Sequence, residues 1–150
     1  MYSKILVPLD GSTFSESSLE HAKIIAAGCK AKEVILLKVV EPLRGYATLA
    51  RDIQAQNDKK AIEAAKEYLS RISGELQKEG INTKIEIISG DPASEILDFS
   101  ISNNIDLIIM ATRGESGVMR WLLGSVSERV VLHATVPVIT VSPGGMKREK

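Results

Sequence analysis

The chain has 150 residues, 44% of them hydrophobic and 25% charged, with 19 basic against 19 acidic side chains. That is the size of one domain with enough apolar content for a single core, and the balanced charge excludes a global field that would draw it to nucleic acid or an anionic membrane. No apolar run approaches the roughly 20 residues needed to span a bilayer, and Met1-Tyr2-Ser3-Lys4 leads directly into an apolar segment without a signal-peptide layout. A soluble cytoplasmic protein is expected, with no membrane or nucleic-acid partner.

Residues 4–9 form a short apolar run that ends at Pro8-Leu9-Asp10-Gly11, and it reads as the first strand. Thr13 with Glu16 three residues later is a capping-box pattern, which predicts a helix from Thr13 to about Gly28. Cys29, the single cysteine, excludes an internal disulfide; its register with Ala22 and Ile25 predicts burial on that helix. Residues 33–40, with VILLKVV at the centre, are almost entirely apolar, the pattern of a strand buried on both faces. Pro42 and Gly45 break the pattern over 41–51, and then Ala61, Ala64, Ala65, Tyr68, Leu69, Ile72 and Leu76 recur at helical spacing up to Gly80, marking the longest helix.

A third strand is expected at 84–88, followed by Gly90-Asp91-Pro92, where Asp91 suits an N-cap and Pro92 the first position of a helix through about Ser102. Residues 106–110, DLIIM, form a fourth strand, and a glycine-containing stretch from Ala111 to Ser127 follows it. A last helix over 126–133 leads through Val136-Pro137 to a final strand at 138–141. The domain is placed at 1–143, and 144–150 read as a mobile charged tail. Strict alternation of strands and helices predicts a doubly wound α/β fold, a five-stranded parallel sheet with helices on both faces. Ligands of such folds bind beyond the carboxyl ends of the strands. The candidate segments are therefore 8–13, 39–42, 90–92 and the glycine stretch.

Two readings of that stretch stand side by side. Gly114 and Gly124 can bracket a loop whose backbone amides, with the Ser125 and Ser127 hydroxyls, hold phosphates at a helix start. Alternatively, Gly114 ends a strand, Gly124 breaks a loop, and Ser125 with Glu128 is a capping box. The chain has neither GxxxxGK[ST] nor a GxGxxG after its first strand, which argues against a P-loop ATPase and against a dinucleotide-binding dehydrogenase. His21 and His133 have no cysteine or carboxylate at metal-ligand spacing, so no protein-made metal site is expected. No serine stands in a recognisable nucleophile motif, and Arg113 and Arg120 are the only cations in the glycine stretch. Catalytic residues are therefore assigned to none, and Trp121-Leu122-Leu123 reads as an apolar plug.

VPLDGS near the amino terminus, VILLKVVEP, GDPASEIL and above all MATRGESGVMRWLLGSVSERVVLHATVPVITV together resemble the universal stress protein family over essentially the whole chain. The family's ATP signature, G-x2-G-x9-G-[ST], is matched in spacing by Gly114, Gly124 and Ser125, with Ala111 in place of the first glycine. An alanine is tolerable there if its backbone is extended. The resemblance implies an adenine-nucleotide α-hydrolase-like sheet of order 3-2-1-4-5. It also implies an ATP pocket in which Pro8 and Asp10 line the nucleoside, the backbone of Val39 meets adenine, and Met110 with Ala111 stands on the other side. Gly114, Gly124, Ser125, Val126 and Ser127 take the phosphate-contacting positions, with Mg or Mn held mainly by the phosphates.

It further implies a homodimer through the last strand, from Pro137 to Val141, and a nucleotide-dependent regulatory role read by another protein, with at most slow hydrolysis. The competing readings are a member of the family that does not bind ATP and acts as a dimeric interaction module, and an adenylating enzyme. The latter ranks last because the chain lacks a second domain and a basic pyrophosphate-gripping motif.

Overall fold

The computed structural model describes residues 1–42, 51–112 and 124–142. Their elements run β1 (Lys4–Pro8), α1 (Thr13–Glu16), α2 (Ser18–Cys29), β2 (Glu33–Val40), α3 (Arg51–Lys78), β3 (Thr83–Ser89), α4 (Pro92–Ser102), β4 (Leu107–Ala111), α5 (Ser125–His133) and β5 (Val138–Val141). The five strands form one parallel sheet of order β3-β2-β1-β4-β5, with β1 at its centre.

The apolar runs explain why this sheet is covered twice. Successive side chains of a strand point to opposite faces. Ile5 and Val7 pack with Ala22 and Ala26 of α2 and with Leu69 and Ile72 of α3. Leu6 and Ile108 pack instead with Ile96 and Phe99 of α4 and Val130 of α5. Full burial of each such side chain is worth roughly 1.5–3 kcal/mol, so strands apolar on both faces are stable only between two helical layers.

Four local expectations are corrected. The N-cap of α1 is Ser12, whose Oγ accepts the Ser15 N–H, while Thr13 is already helical. The first helix is two, interrupted at Ser17, where the Ser17 and Ser18 hydroxyls donate to the carbonyls of Phe14 and Ser15 and compete with regular helical bonding. The long helix α3 starts at Arg51, well before its apolar stripe begins. Cys29 is only half-buried, because it ends α2 just before Lys30 turns into the left-handed region at φ 51°. The tail after residue 142 and the glycine-stretch residues 113–123, with Gly114 and the Trp121-Leu122-Leu123 triplet, lie outside the described residues.

Candidate functional site

Beyond the carboxyl ends of β1, β2 and β4 lies a cavity of about 650 Å³, within the 300–1,000 Å³ usual for small-molecule sites. Pro8, Asp10, Val39, Met110, Ala111, Gly124, Ser125, Val126 and Ser127 all line it, so the sequence-chosen residues other than Gly114 are brought together. The cavity also takes Leu9, Glu41, Pro92 and Thr112, which lie within the candidate segments, and Ser15, Lys38, Ala61, Ala64 and Ile96, which the sequence reading does not assign to it. Pro92 is in reach of sequence, since it follows the end of β3 in a doubly wound sheet. Ala61 and Ala64 were legible only as a helix face.

Two runs of backbone in this cavity are left without partners. The first is at β2. Glu33 and Leu37 turn their backbone groups toward β1, where Glu33 N–H donates to Ser3 and Leu37 C=O accepts from Leu9 N–H. Val34 and Val40 turn theirs toward β3, bonding Asn82 C=O and Gly90 N–H. By the same alternation Val39 faces β1, but β1 pairs with β2 only as far as Pro8 opposite Leu37. Its N–H and C=O, one donor and one acceptor, therefore look past the end of β1 with no hydrogen-bond partner among the described residues.

The second run is the start of α5. Its N-cap is Gly124, at φ −60° and ψ 158°, which has no side chain to offer. The first helical bond, from Glu128 N–H to Gly124 C=O, leaves the N–H groups of Ser125, Val126 and Ser127 unpaired among the described residues. The Ser125–Glu128 capping box of the alternative reading does not form, because Ser125 is helical rather than capping. Ser127, only 3% exposed, turns its hydroxyl inward to the carbonyls of Thr112, at 2.8 Å, and Gly124, at 3.0 Å. Gly124 N–H also bonds Thr112 C=O. Thr112, at the end of β4, is thus the peg that fixes this helix start, and Ser127 offers the cavity its N–H rather than its hydroxyl proton. Three free amides at the positive end of a helix form a ready anion site.

Ala111 closes β4 in extended conformation, paired with Val141 and 7% exposed. Its methyl group therefore carries no backbone strain. Asp10 is exposed and lines the cavity; its Oδ1 accepts from Ser12 N–H at 2.8 Å and from the Ser12 hydroxyl, and its Oδ2 has no hydrogen-bond partner among the described residues. Gly11 follows at φ 93°, a turn that favours glycine. Beneath Asp10, Tyr68 of α3 sits beside Ser15, whose hydroxyl donates to Ser12 C=O; the Tyr68 hydroxyl has no partner among the described residues. Burial, with the nearby Glu16 carboxylate, raises its pKa to about 12. Among the described residues no cluster of three or more His, Cys, Asp or Glu side chains could hold a metal ion.

No helix among the described residues is long and apolar enough to cross a membrane. Residues 1–142 match the model of the universal stress protein family. The chain is 34% identical to the universal stress protein MJ0577 of Methanocaldococcus jannaschii, over 94% of this chain and 95% of that protein. Against the solved structure of MJ0577 it superposes with a TM-score of 0.86, covering 97% of this chain and 99% of the other. The universal stress protein UspA from Lactobacillus plantarum gives a TM-score of 0.84 at 26% identity, covering 93% and 97%. A family protein from Arabidopsis thaliana, solved with AMP bound, shares the fold at 20% identity and a TM-score of 0.63, over 99% and 96%. With its sheet order, its cavity and these likenesses in agreement, the chain belongs to the universal stress protein family.

Proposed function

We propose that the cavity binds ATP and that the protein is a nucleotide-dependent regulatory protein rather than an efficient enzyme. The observation that carries this reading is the pair of open backbone runs in one cavity. The free amides of Ser125, Val126 and Ser127 suit the phosphates. The Val39 N–H and C=O match the acceptor and donor on adenine's N1 and N6 edge. AMP bound to the Arabidopsis relative supports a nucleotide as the ligand class. Asp10, at the end of β1 between these two runs, faces the sugar.

Mg or Mn would accompany the phosphates and offset their charge; among the described residues Asp10 and Glu41 are the carboxylates lining the cavity, too few to hold an ion alone. No side chain among the described lining residues is paired as nucleophile and base, so turnover is slow. The test is to denature the purified protein, identify released nucleotide by mass spectrometry, and titrate the stripped protein with Mg-ATP. No released nucleotide and no binding at millimolar ATP sinks the proposal and leaves the alternative, a dimeric interaction module without ATP.

In either case we infer a homodimer through β5. This strand is at the sheet edge, pairing β4 on one side only, and an apolar edge invites pairing with a second copy. A monomer mass by light scattering across a wide concentration range overturns the inference.

A further inference from the structure

The cavity contains a cation that the nucleotide reading leaves unused. Lys38, in β2, lines it on the face opposite α4 and α5, the side of α3, because its neighbours Leu37 and Val39 pack toward α4 and α5. Its Nζ donates to the carbonyl of Asp10 at 3.4 Å and lies 5.7 Å from the centre of the Tyr68 ring. Lys4, Lys23, Arg71, Lys84 and Arg129 each pair with a carboxylate. Among the described residues no carboxylate oxygen stands within 4 Å of Lys38, so this ammonium group has only a marginal neutral acceptor and a ring face. Arg71, on the other side of the Tyr68 ring at 5.6 Å, is held by Glu16 and Glu75. Lys38 is thus the cation of this cluster available to a ligand.

Sheet order decides which part of a ligand it meets. If the base edge is read at Val39, beyond β2, and the 5′ phosphates by α5, beyond β4, then the sugar lies over the end of β1, which stands between those strands. Asp10 continues β1, and Lys38 touches Asp10. Asp10 suits free ribose hydroxyls, which donate to its carboxylate. The ammonium of Lys38 suits an anion esterified to one of them, the same division by charge that separates ribose from ribose-phosphate recognition in dinucleotide sites.

We propose that Lys38 is a specificity-determining residue that admits a second phosphate on the ribose 2′ or 3′ oxygen, making ribose-phosphorylated adenine nucleotides preferred ligands of the cavity. The proposal rests on the nucleotide reading above. It is tested by calorimetric titration of the full chain, stripped of nucleotide, with ATP, AMP, adenosine 3′,5′-bisphosphate and adenosine 2′,5′-bisphosphate, with Lys38→Met and Lys38→Arg in parallel. A gained charge-assisted contact makes one bisphosphate at least ~10-fold tighter than AMP, and which one identifies the oxygen. Lys38→Met brings that ratio to about one, and Lys38→Arg retains most of it; a ratio cancels any general weakening of the site. ATP binding without preference for either bisphosphate overturns this proposal alone. A preference that survives Lys38→Met overturns it too. No binding of any of the four overturns the nucleotide reading with it.

Discussion

Two helices begin at the rim of the same cavity and end their backbones in opposite ways. At α4 the N-cap is Asp91, whose carboxylate accepts the Ser94 N–H and hydroxyl, and Pro92 takes the first helical position, where no amide is lost. Arg129 of α5 completes the cap at 2.9 Å from Asp91 and also donates to Ser94 Oγ. At α5 the N-cap is Gly124, no side chain caps it, and three amides remain open toward the cavity. Both starts have extended cap residues and comparable length, so geometry does not force the difference. A helix that satisfies its own amides contributes stability; one that leaves them open over a cavity gives up that stabilisation and keeps a place for an anion.

The sharpest way to break the contrast is to give α5 the cap of α4. Gly124→Asp, at backbone angles close to those of Asp91, places a carboxylate on the free amides. Thermal stability should hold or rise while ATP affinity falls by more than ~100-fold, since an amide is lost and a like charge gained. Retained affinity by calorimetry would mean that the phosphates do not dock at α5. Next in size is Ser125→Pro. Proline is welcome at the first helical position, so the fold stays, but one amide disappears. Affinity should drop by about 10-fold, the cost of one charge-assisted hydrogen bond. A circular dichroism spectrum like that of the native protein would assign the loss to the amide.

The same contrast shows what a sequence exposes. Asp91 and Pro92 announce α4 because capping chemistry is written in side chains, and the helix begins and ends where that reading puts it. The strand at 33–40 is equally legible, since burial on both faces demands continuous apolar residues, and the short apolar run at 138–141 also falls where it is read although as an edge strand it is only partly buried. The parallel sheet follows from alternation, while its strand order came from the resemblance. What defines α5 is a lack of side-chain chemistry, and a glycine does not announce open amides. Ser125 with Glu128 even spells a cap that does not form, and Ser127 carries a hydroxyl that turns to Thr112.

Elsewhere the signal failed for plain reasons. The first turns of α3 are polar and have no stripe to read, and the serines after Asp10 bond to nearby carbonyls in ways that choose Ser12 over Thr13 as the cap. Lys38 was hidden inside an apolar strand, where one charge looks like tolerance rather than purpose.

Ser127→Ala separates support from binding. Its buried hydroxyl ties α5 to Thr112, so stability should fall by about 1 kcal/mol in chemical denaturation. Gly124 N–H still satisfies Thr112 and the Ser127 amide is retained, so ATP affinity should change by less than ~5-fold. A loss as large as that of Ser125→Pro would give the hydroxyl a role toward the ligand.

The smallest effect belongs to α4. The Ser94 hydroxyl and amide, with the Arg129 guanidinium, hold the Asp91 carboxyl below the usual carboxylate range. A carboxyl whose pKa is lowered by folding contributes stability above its unfolded pKa, and that contribution fades as pH falls through the lowered value. Asp91→Asn should therefore melt slightly below the wild type at pH 7, with the gap closing in acid beneath the ordinary carboxylate range. Because both groups are about half exposed, the gap is small and shrinks further in salt. ATP affinity should stay within about twofold, because among the described residues α4 leaves only its Ala93 N–H open. A strong fall would show instead that the Asp91–Arg129 pair sets the position of α5, and the two helix starts would then act as one device.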